Sequence, residues 1–191
     1  YTTNVQDFAD VAALPGGGFV VTWDSKDQDG DKEGIYVQRF DASGNKVGGE
    51  VRANTYTTGE QRNSAITVLA SGGFVVAWES NGQDGSGYGI YAQRFDASGT
   101  KVGSETRVNS VTAGSQLNAD VVALSDGGYF VSWQSTGQDA NLQSIHGQRY
   151  DASGVAVGSE MLLNSTETGE QMAPSVTVLA DDTDEASILA I

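Results

Sequence analysis

The residues best placed to do chemistry lie in one acidic loop, Asp27-Gln28-Asp29-Gly30-Asp31-Lys32-Glu33. Asp27, Asp29 and Asp31 alternate around a glycine, and Glu33 follows two residues on. Carboxylates spaced this way can curl their oxygens about one hard cation. Calcium takes six to eight oxygen ligands, so backbone carbonyls and water would have to complete the shell. The expected metal ligands are therefore Asp27, Asp29, Asp31 and Glu33, with calcium as the ion. The corresponding loops are poorer: Asp84 stands in Gln83-Asp84-Gly85-Ser86, and Asp139 in Gln138-Asp139-Ala140-Asn141. The bland alternative is a solvated acidic loop in which Gln-Asp-Gly makes a turn.

Other polar residues recur. The pairs Gln38-Arg39, Gln93-Arg94 and Gln148-Arg149 read as architecture, with each arginine expected to fix neighbouring strands or neighbouring blades through an ion pair with an acid such as Asp24, Glu50 or Glu79. Trp23, Trp78 and Trp133 sit in apolar runs and are expected in the core. Asn54, Asn109 and Asn164, with Gln6, Gln61, Gln116 and Gln171, flank the loops between units and read as turn caps; glycan-binding proteins use the same amides. Hydrolysis needs a nucleophile, a base and an orienter within reach. The single histidine, His146, occupies the column of Tyr36 and Tyr91, which makes it a poor base. No acid pair stands out from the repeat as a glycosidase pair would. No catalytic residue is assigned, and the chain is expected not to be an enzyme.

Composition narrows the partners. The net charge is −15, from 25 acidic and 10 basic residues, so a row of phosphates finds nothing to neutralise it. Nucleic acid and anionic membrane surfaces are excluded as expected partners, and cations are favoured. There are no cysteines, which excludes disulfides and thiolate metal sites. No stretch has the length and apolarity of a membrane-spanning helix.

The elements that must position these residues come from a repeat. Trp23, Trp78 and Trp133 are 55 residues apart, as are Gln6, Gln61, Gln116 and Gln171. The run Gln38 to Gly44 returns at Gln93 to Gly99 and, with Tyr150 for Phe, at Gln148 to Gly154. Units span about 6–60, 61–115 and 116–170, with a partial fourth at 171–191, all within one repeat domain. So regular a period is expected of a longer array. Each unit reads as four strands: Val11–Leu14, Phe19–Trp23, Ile35–Phe40 and Lys46–Ala53 in the first. Glycine turns join the first two, and Asp41-Ala42-Ser43-Gly44 has the chemistry of a type I turn. The first two strands are apolar on consecutive residues, so both their faces are expected to be covered. The fourth is polar and reads as an edge. A sheet of this kind describes a β-propeller blade, and the expected fold is all-β, in tandem propeller-like blades. A β-trefoil, also built from similar four-strand units, is the alternative.

The phrase Gly-Gly-Phe-Val-Val-(Thr/Ala)-Trp-x-Ser, followed by Gly-Ile-Tyr-x-Gln-Arg-Phe-Asp-Ala-Ser-Gly, stands at Gly17 to Ser25 with Gly34 to Gly44. It stands again at Gly72 to Ser80 with Gly89 to Gly99. It resembles repeats of large secreted bacterial proteins, the RTX-type calcium-associated exoproteins and adhesins. The resemblance implies a secreted or cell-surface location and an adhesive role, with a glycan or another surface protein as partner. A structural spacer or self-assembling subunit, its open edge completed by other chains in a homo-oligomer, is the second expectation. Asp184-Glu185 before Ile188, Leu189 and Ile191 resembles the uncleaved C-terminal signals of bacterial type I export; a closing β-strand is the other reading.

Overall fold

The computed structural model describes residues 1–138, 143–165, 171–179 and 187–190. Asp139, Asp184, Glu185 and Ile191, named above, lie outside them. The first unit folds as β1 (Gln6–Leu14), β2 (Gly18–Lys26), β3 (Glu33–Phe40) and β4 (Lys46–Arg52). The second gives β5 (Gln61–Val68), β6 (Phe74–Asn81), β7 (Tyr88–Phe95) and β8 (Lys101–Arg107). The third gives β9 (Gln116–Ala123), β10 (Tyr129–Thr136), β11 (Gln143–Tyr150) and β12 (Ala156–Leu162). Each set is an antiparallel meander in chain order, and β13 (Val176–Leu179) pairs with β14 (Ser187–Ala190). Among the described residues strands pair only within a unit, which is blade topology and not the trefoil arrangement. The series of sheets is open.

The turns explain the meander. Gly17, Gly72 and Gly127 hold φ of +83 to +89°. The glycine that follows cannot be replaced for a different reason: a Cβ at Gly18 or Gly73 would strike the carbonyl of Phe40 or Phe95 on the paired strand. In the β3–β4 turn, Asp41 Oδ1 accepts the N–H groups of Ser43 (2.9 Å) and Asn45 (2.8 Å), and Asp96 and Asp151 do the same in theirs. The bonds from Asn45, Ser98 and Ser153 hold these exposed carboxyls below the usual carboxylate range.

Sheets stack through opposite faces. Val20, Ile35 and Val37 of the first sheet pack on Phe74, Val76 and Trp78 of the second. Val75, Ala77 and Ile90, from the second sheet's other face, pack on Tyr129, Val131 and Trp133 of the third. The third sheet's far face is covered in part by Val176 and Val178. Strand β6 is consequently buried from Phe74 to Ser80 without alternation. The expectation of two covered faces holds for the second sheet and fails for the first. There β2 alternates, and Val11 is 60% exposed where its counterparts Ile66 and Val121 are 7% and 6%. The reason is that no sheet among the described residues lies ahead of it.

Candidate functional site: the seams between sheets

Repeat polar residues are mostly spent on holding one sheet to the next. The second strand of each unit ends in Asp24, Glu79 or Gln134. Asp24 Oδ2 accepts the N–H of Asn63 at 2.8 Å, Glu79 Oε1 that of Asn118 at 2.7 Å, and Gln134 Oε1 that of Ala173 at 3.2 Å. The three donors share positive φ values of 51 to 54°, and Phe8 in the first unit has 48°. Phe8, Asn63 and Asn118 lie within the bulge of their unit's first strand, and Ala173 holds the equivalent repeat position ahead of β13. Asparagine tolerates this conformation and marks the place in two units; Phe8 and Ala173 give no such signal.

Arg39 and Arg94 also reach across a seam, though not to the expected acids, while Arg149 stays within its own unit. Arg39 Nη1 donates to the carbonyl of Ser98 (2.8 Å), and Arg94 to those of Ser153 and Ala152, the latter at 2.6 Å. Arg149 pairs with Asp126 at 2.5 Å. The glutamines beside them bridge the bulge in the edge strand: Gln38 Nε2 donates to the carbonyls of Arg39 (2.9 Å) and Val47 (3.3 Å). The linker amides are caps. Asn109 Oδ1 accepts the N–H of Ile90 (2.8 Å), and its Nδ2 donates to Val111 O (2.9 Å) and Gln116 Oε1 (3.0 Å); Asn54 repeats this pattern. Trp78 and Trp133 have no exposed surface, so neither can offer a ring to a sugar.

The four acidic residues of the first loop do not converge. Asp27 Oδ2 accepts Asn4 Nδ2 (3.0 Å), Asp29 Oδ2 accepts Asn54 Nδ2 (3.1 Å), and Asp31 Oδ2 accepts the N–H of Gly59 (2.8 Å). Glu33 opens β3 opposite Lys26. Among the described residues no three acidic, histidine or cysteine side chains are grouped to hold a metal. Calcium would have to draw Asp27 and Asp31 away from Asn4 and Gly59. Asp84 is used locally, accepting the N–H of Ser86 at 3.1 Å.

Among the described residues two cavity classes remain, besides a cavity of about 480 Å³ at the turns around Gly17 and Asp41. One, of about 600 Å³, touches all four units and is lined by Phe8, Arg62, Asn63, Asn118, Asp120 and Pro174. Its polar groups are already paired. Arg62 Nε meets Glu79 Oε2 at 3.1 Å, Asn63 Nδ2 meets Glu79 Oε1 at 3.0 Å, and Asn118 Nδ2 meets Gln134 Oε1 at 3.0 Å. The other class lies along the outer seams and recurs. Between the first and second units a groove of about 610 Å³ is lined by Thr55, Tyr56, Gln83, Gln93, Lys101 and Glu105. Between the second and third, one of about 680 Å³ is lined by Gln83, Asp84, Tyr91, Arg107, Ser110 and Gln148. Thr55 and Ser110 are repeat counterparts, as are Gln93 and Gln148. Burial lowers the Lys101 ammonium, with Glu105 acting in the opposite sense. Burial and the Asp84 charge push the Tyr91 phenol up to about 12. Unlike the first cavity, these grooves hold acceptors with no protein partner: Gln83 Oε1, Gln93 Oε1 and Asp84 Oδ2, all shielded from solvent. Gln28 Oε1 and Gln138 Oε1, the repeat counterparts of Gln83, are in the same condition. Sequence reasoning saw Gln-Asp-Gly as a turn; only its packing against the edge strand shows these acceptors.

Fold and seams together define a class: an all-β series of propeller-type blades, held sheet to sheet by repeated polar contacts. No protein-family model matches the chain, and no curated protein does. Among solved structures it is similar to a protein of unknown function from Dyadobacter fermentans DSM 18053, at 13% identity and TM-score 0.66, over 97% of this chain and 65% of that one. It is also similar to an endo-arabinase from Bacteroides thetaiotaomicron VPI-5482, at 18% identity and TM-score 0.57, over 96% of this chain and 70% of that one. An α-L-arabinofuranosidase from Lactobacillus brevis is similar at 9% identity and TM-score 0.58, over 92% and 62% of the two chains. The matched region spans between 62% and 70% of the length of these proteins. At such identities the likeness is one of fold.

Proposed function

We propose that this chain is a non-catalytic, glycan-binding module of a secreted or cell-surface bacterial repeat protein, and that the seam grooves are its binding sites. The observation that carries the reading is a pair of adjacent seam clefts sharing Gln83, whose amide and carboxylate acceptors lack a protein partner, with Gln28 and Gln138 in the same condition in the other units. A buried acceptor left unpaired costs about 1–3 kcal/mol, and sugar hydroxyls are donors of the right kind. Tyr56, half-buried at the first groove, offers an aromatic edge beside them. The neighbours whose names specify carbohydrate substrates agree with this choice of ligand class. A non-catalytic role is supported by the fate of the two buried acids: Asp24 and Glu79 each spend an oxygen on the next sheet's backbone, and the third unit has Gln134 in their place. The location and adhesive role rest on the resemblance of the repeat to RTX-type exoproteins.

The test is isothermal titration with arabino- and xylo-oligosaccharides, alongside a reducing-end assay. Saturable binding is expected, weakened at least tenfold by Gln83→Ala or Tyr56→Ala with an unchanged circular dichroism spectrum, and without new reducing ends. New reducing ends would overturn the non-catalytic reading. Absence of binding to either sugar series would favour the second reading, a structural spacer. One observation supports that alternative: nearly every repeat-invariant polar side chain is already committed to partners within its own sheet, in the linkers or across a seam.

A further inference from the structure

We propose that the open face of the first sheet is a docking surface for another four-stranded sheet of this same repeat. The face consists of Val11, Phe19, Val21, Trp23 and Phe40, with Tyr36 already buried among them at 6% exposure. The counterparts of the other five in the second sheet, Ile66, Phe74, Val76, Trp78 and Phe95, are between 0% and 7% exposed because the first sheet lies on them. Val11 is 60% exposed, and Phe8 beside it 63%.

The face is already arranged as it is in the covered copies. Phe19 stacks on Phe40 at 4.8 Å and 13°, as Phe74 stacks on Phe95 at 4.7 Å and 12°. Trp23 stacks on Tyr36 at 6.5 Å, and the Trp133–His146 pair of the third sheet is at 6.2 Å. A preorganised surface loses little side-chain entropy on binding.

The polar contacts say what kind of sheet belongs there. At both complete seams the covering sheet brings an acid to the N–H of the positive-φ residue, Asp24 to Asn63 and Glu79 to Asn118. It also brings an arginine to a turn carbonyl, Arg39 to Ser98 and Arg94 to Ser153. The first sheet presents the matching groups: Phe8 with φ 48°, and the Asp41–Gly44 turn with the carbonyl of Ser43. An apolar patch flanked by these two receptors is complementary to a Val20, Asp24, Ile35, Arg39 face. A lipid surface or an unrelated apolar helix would leave both receptors unused.

The chain lacks cysteine, so single thiols report cleanly. The Val21→Cys variant is compared in two proteins: the chain itself, and the same chain with a second copy of residues 1–55 joined ahead of Tyr1. Maleimide labelling is expected to be fast in the first and at least tenfold slower in the second, close to the rate of a Val76→Cys control. Val20→Asp in the added copy, on its covering face, should restore fast labelling. Equal rates in the two proteins would overturn the proposal. So would labelling of the unextended chain that slows with protein concentration while cross-links form between Val21→Cys thiols, since the face would then be covered by its own like.

Discussion

Asp24 should make this protein lose stability as the pH rises through neutrality. Its side chain is 1% exposed, with Oδ2 on the Asn63 N–H and Oδ1 without a partner. Burial raises its pKa from 3.8 to about 7; the Asn63 N–H opposes this, and the charges of Asp7 and Glu79 add to it. A carboxyl whose folded pKa is raised binds its proton more tightly when folded. Its contribution is therefore complete below about pH 4 and is lost as the pH climbs to 7 and beyond. A rise of this size is worth at most about 4 kcal/mol at about 1.4 kcal/mol per pH unit, less whatever relaxation lets water reach the carboxylate. The window is clean, because the lowered carboxyls act elsewhere. Glu160, for example, is raised by burial, yet bonds from His146, Gln138 and Ser110 bring it down to about 2, so its contribution is lost only as the pH falls below about 4.5. The assay is urea unfolding at intervals from pH 4.5 to 8, for the native chain and for Asp24→Asn. The amide keeps the acceptor for Asn63 and removes the titration. The native midpoint should fall steadily across this range and the variant's should stay nearly flat, with the variant the more stable of the two at pH 8. An equal slope in both proteins would refute the reasoning.

Trp78→Ala should cost about 3–5 kcal/mol, as for a fully buried aromatic, and Trp23→Ala clearly less, because its outer side is uncovered; paired thermal melts read the difference. Asn109→Ala leaves the Ile90 N–H and Gln116 Oε1 without their partner inside the second sheet's linker, so a loss of about 2–4 kcal/mol is expected, with hydrogen exchange at Ile90 accelerated. Millimolar calcium is expected to leave the melting temperature unchanged, since Asp27, Asp29 and Asp31 face separate partners. A rise abolished by changing all three to Asn would show that the ion gathers them, as their spacing suggests.

What could be read from the residues was whatever repeats with a period. The column of Trp23, Trp78 and Trp133 and the glycine turns mark four strands per unit, and consecutive apolar residues in the second strand mark sheets covered on both sides. Contacts between units were opaque. Arg39 shares a face with Ile35 and Val37, which suggested an acid on a neighbouring strand or blade; its guanidinium does reach the next sheet, but to the carbonyl of Ser98, 59 residues on, an acceptor that no local pattern encodes. The positive φ shared by Phe8, Asn63 and Asn118 in their strand bulges, and by Ala173 at the equivalent repeat position, was equally hidden, since only two of the four are residues that favour it. The acidic loop carries two patterns at once. Its alternating carboxylates have calcium spacing, yet two of the three are claimed by Asn54 and Gly59, at the linker leading into the second unit.

These misses share a cause, and it bears on how the molecule is held together. A unit here cannot satisfy itself. Its second strand is apolar on both faces, and the acid at that strand's end is aimed at a backbone N–H belonging to the next unit. Stability is then a sum of sheet terms and seam terms, as in other stacked repeats. The first sheet has one seam and the second has two, so local opening should begin at β1 and β2, and the central sheet should be the slowest to exchange. If β1 proved as protected as β5, its open face would have to be covered in solution.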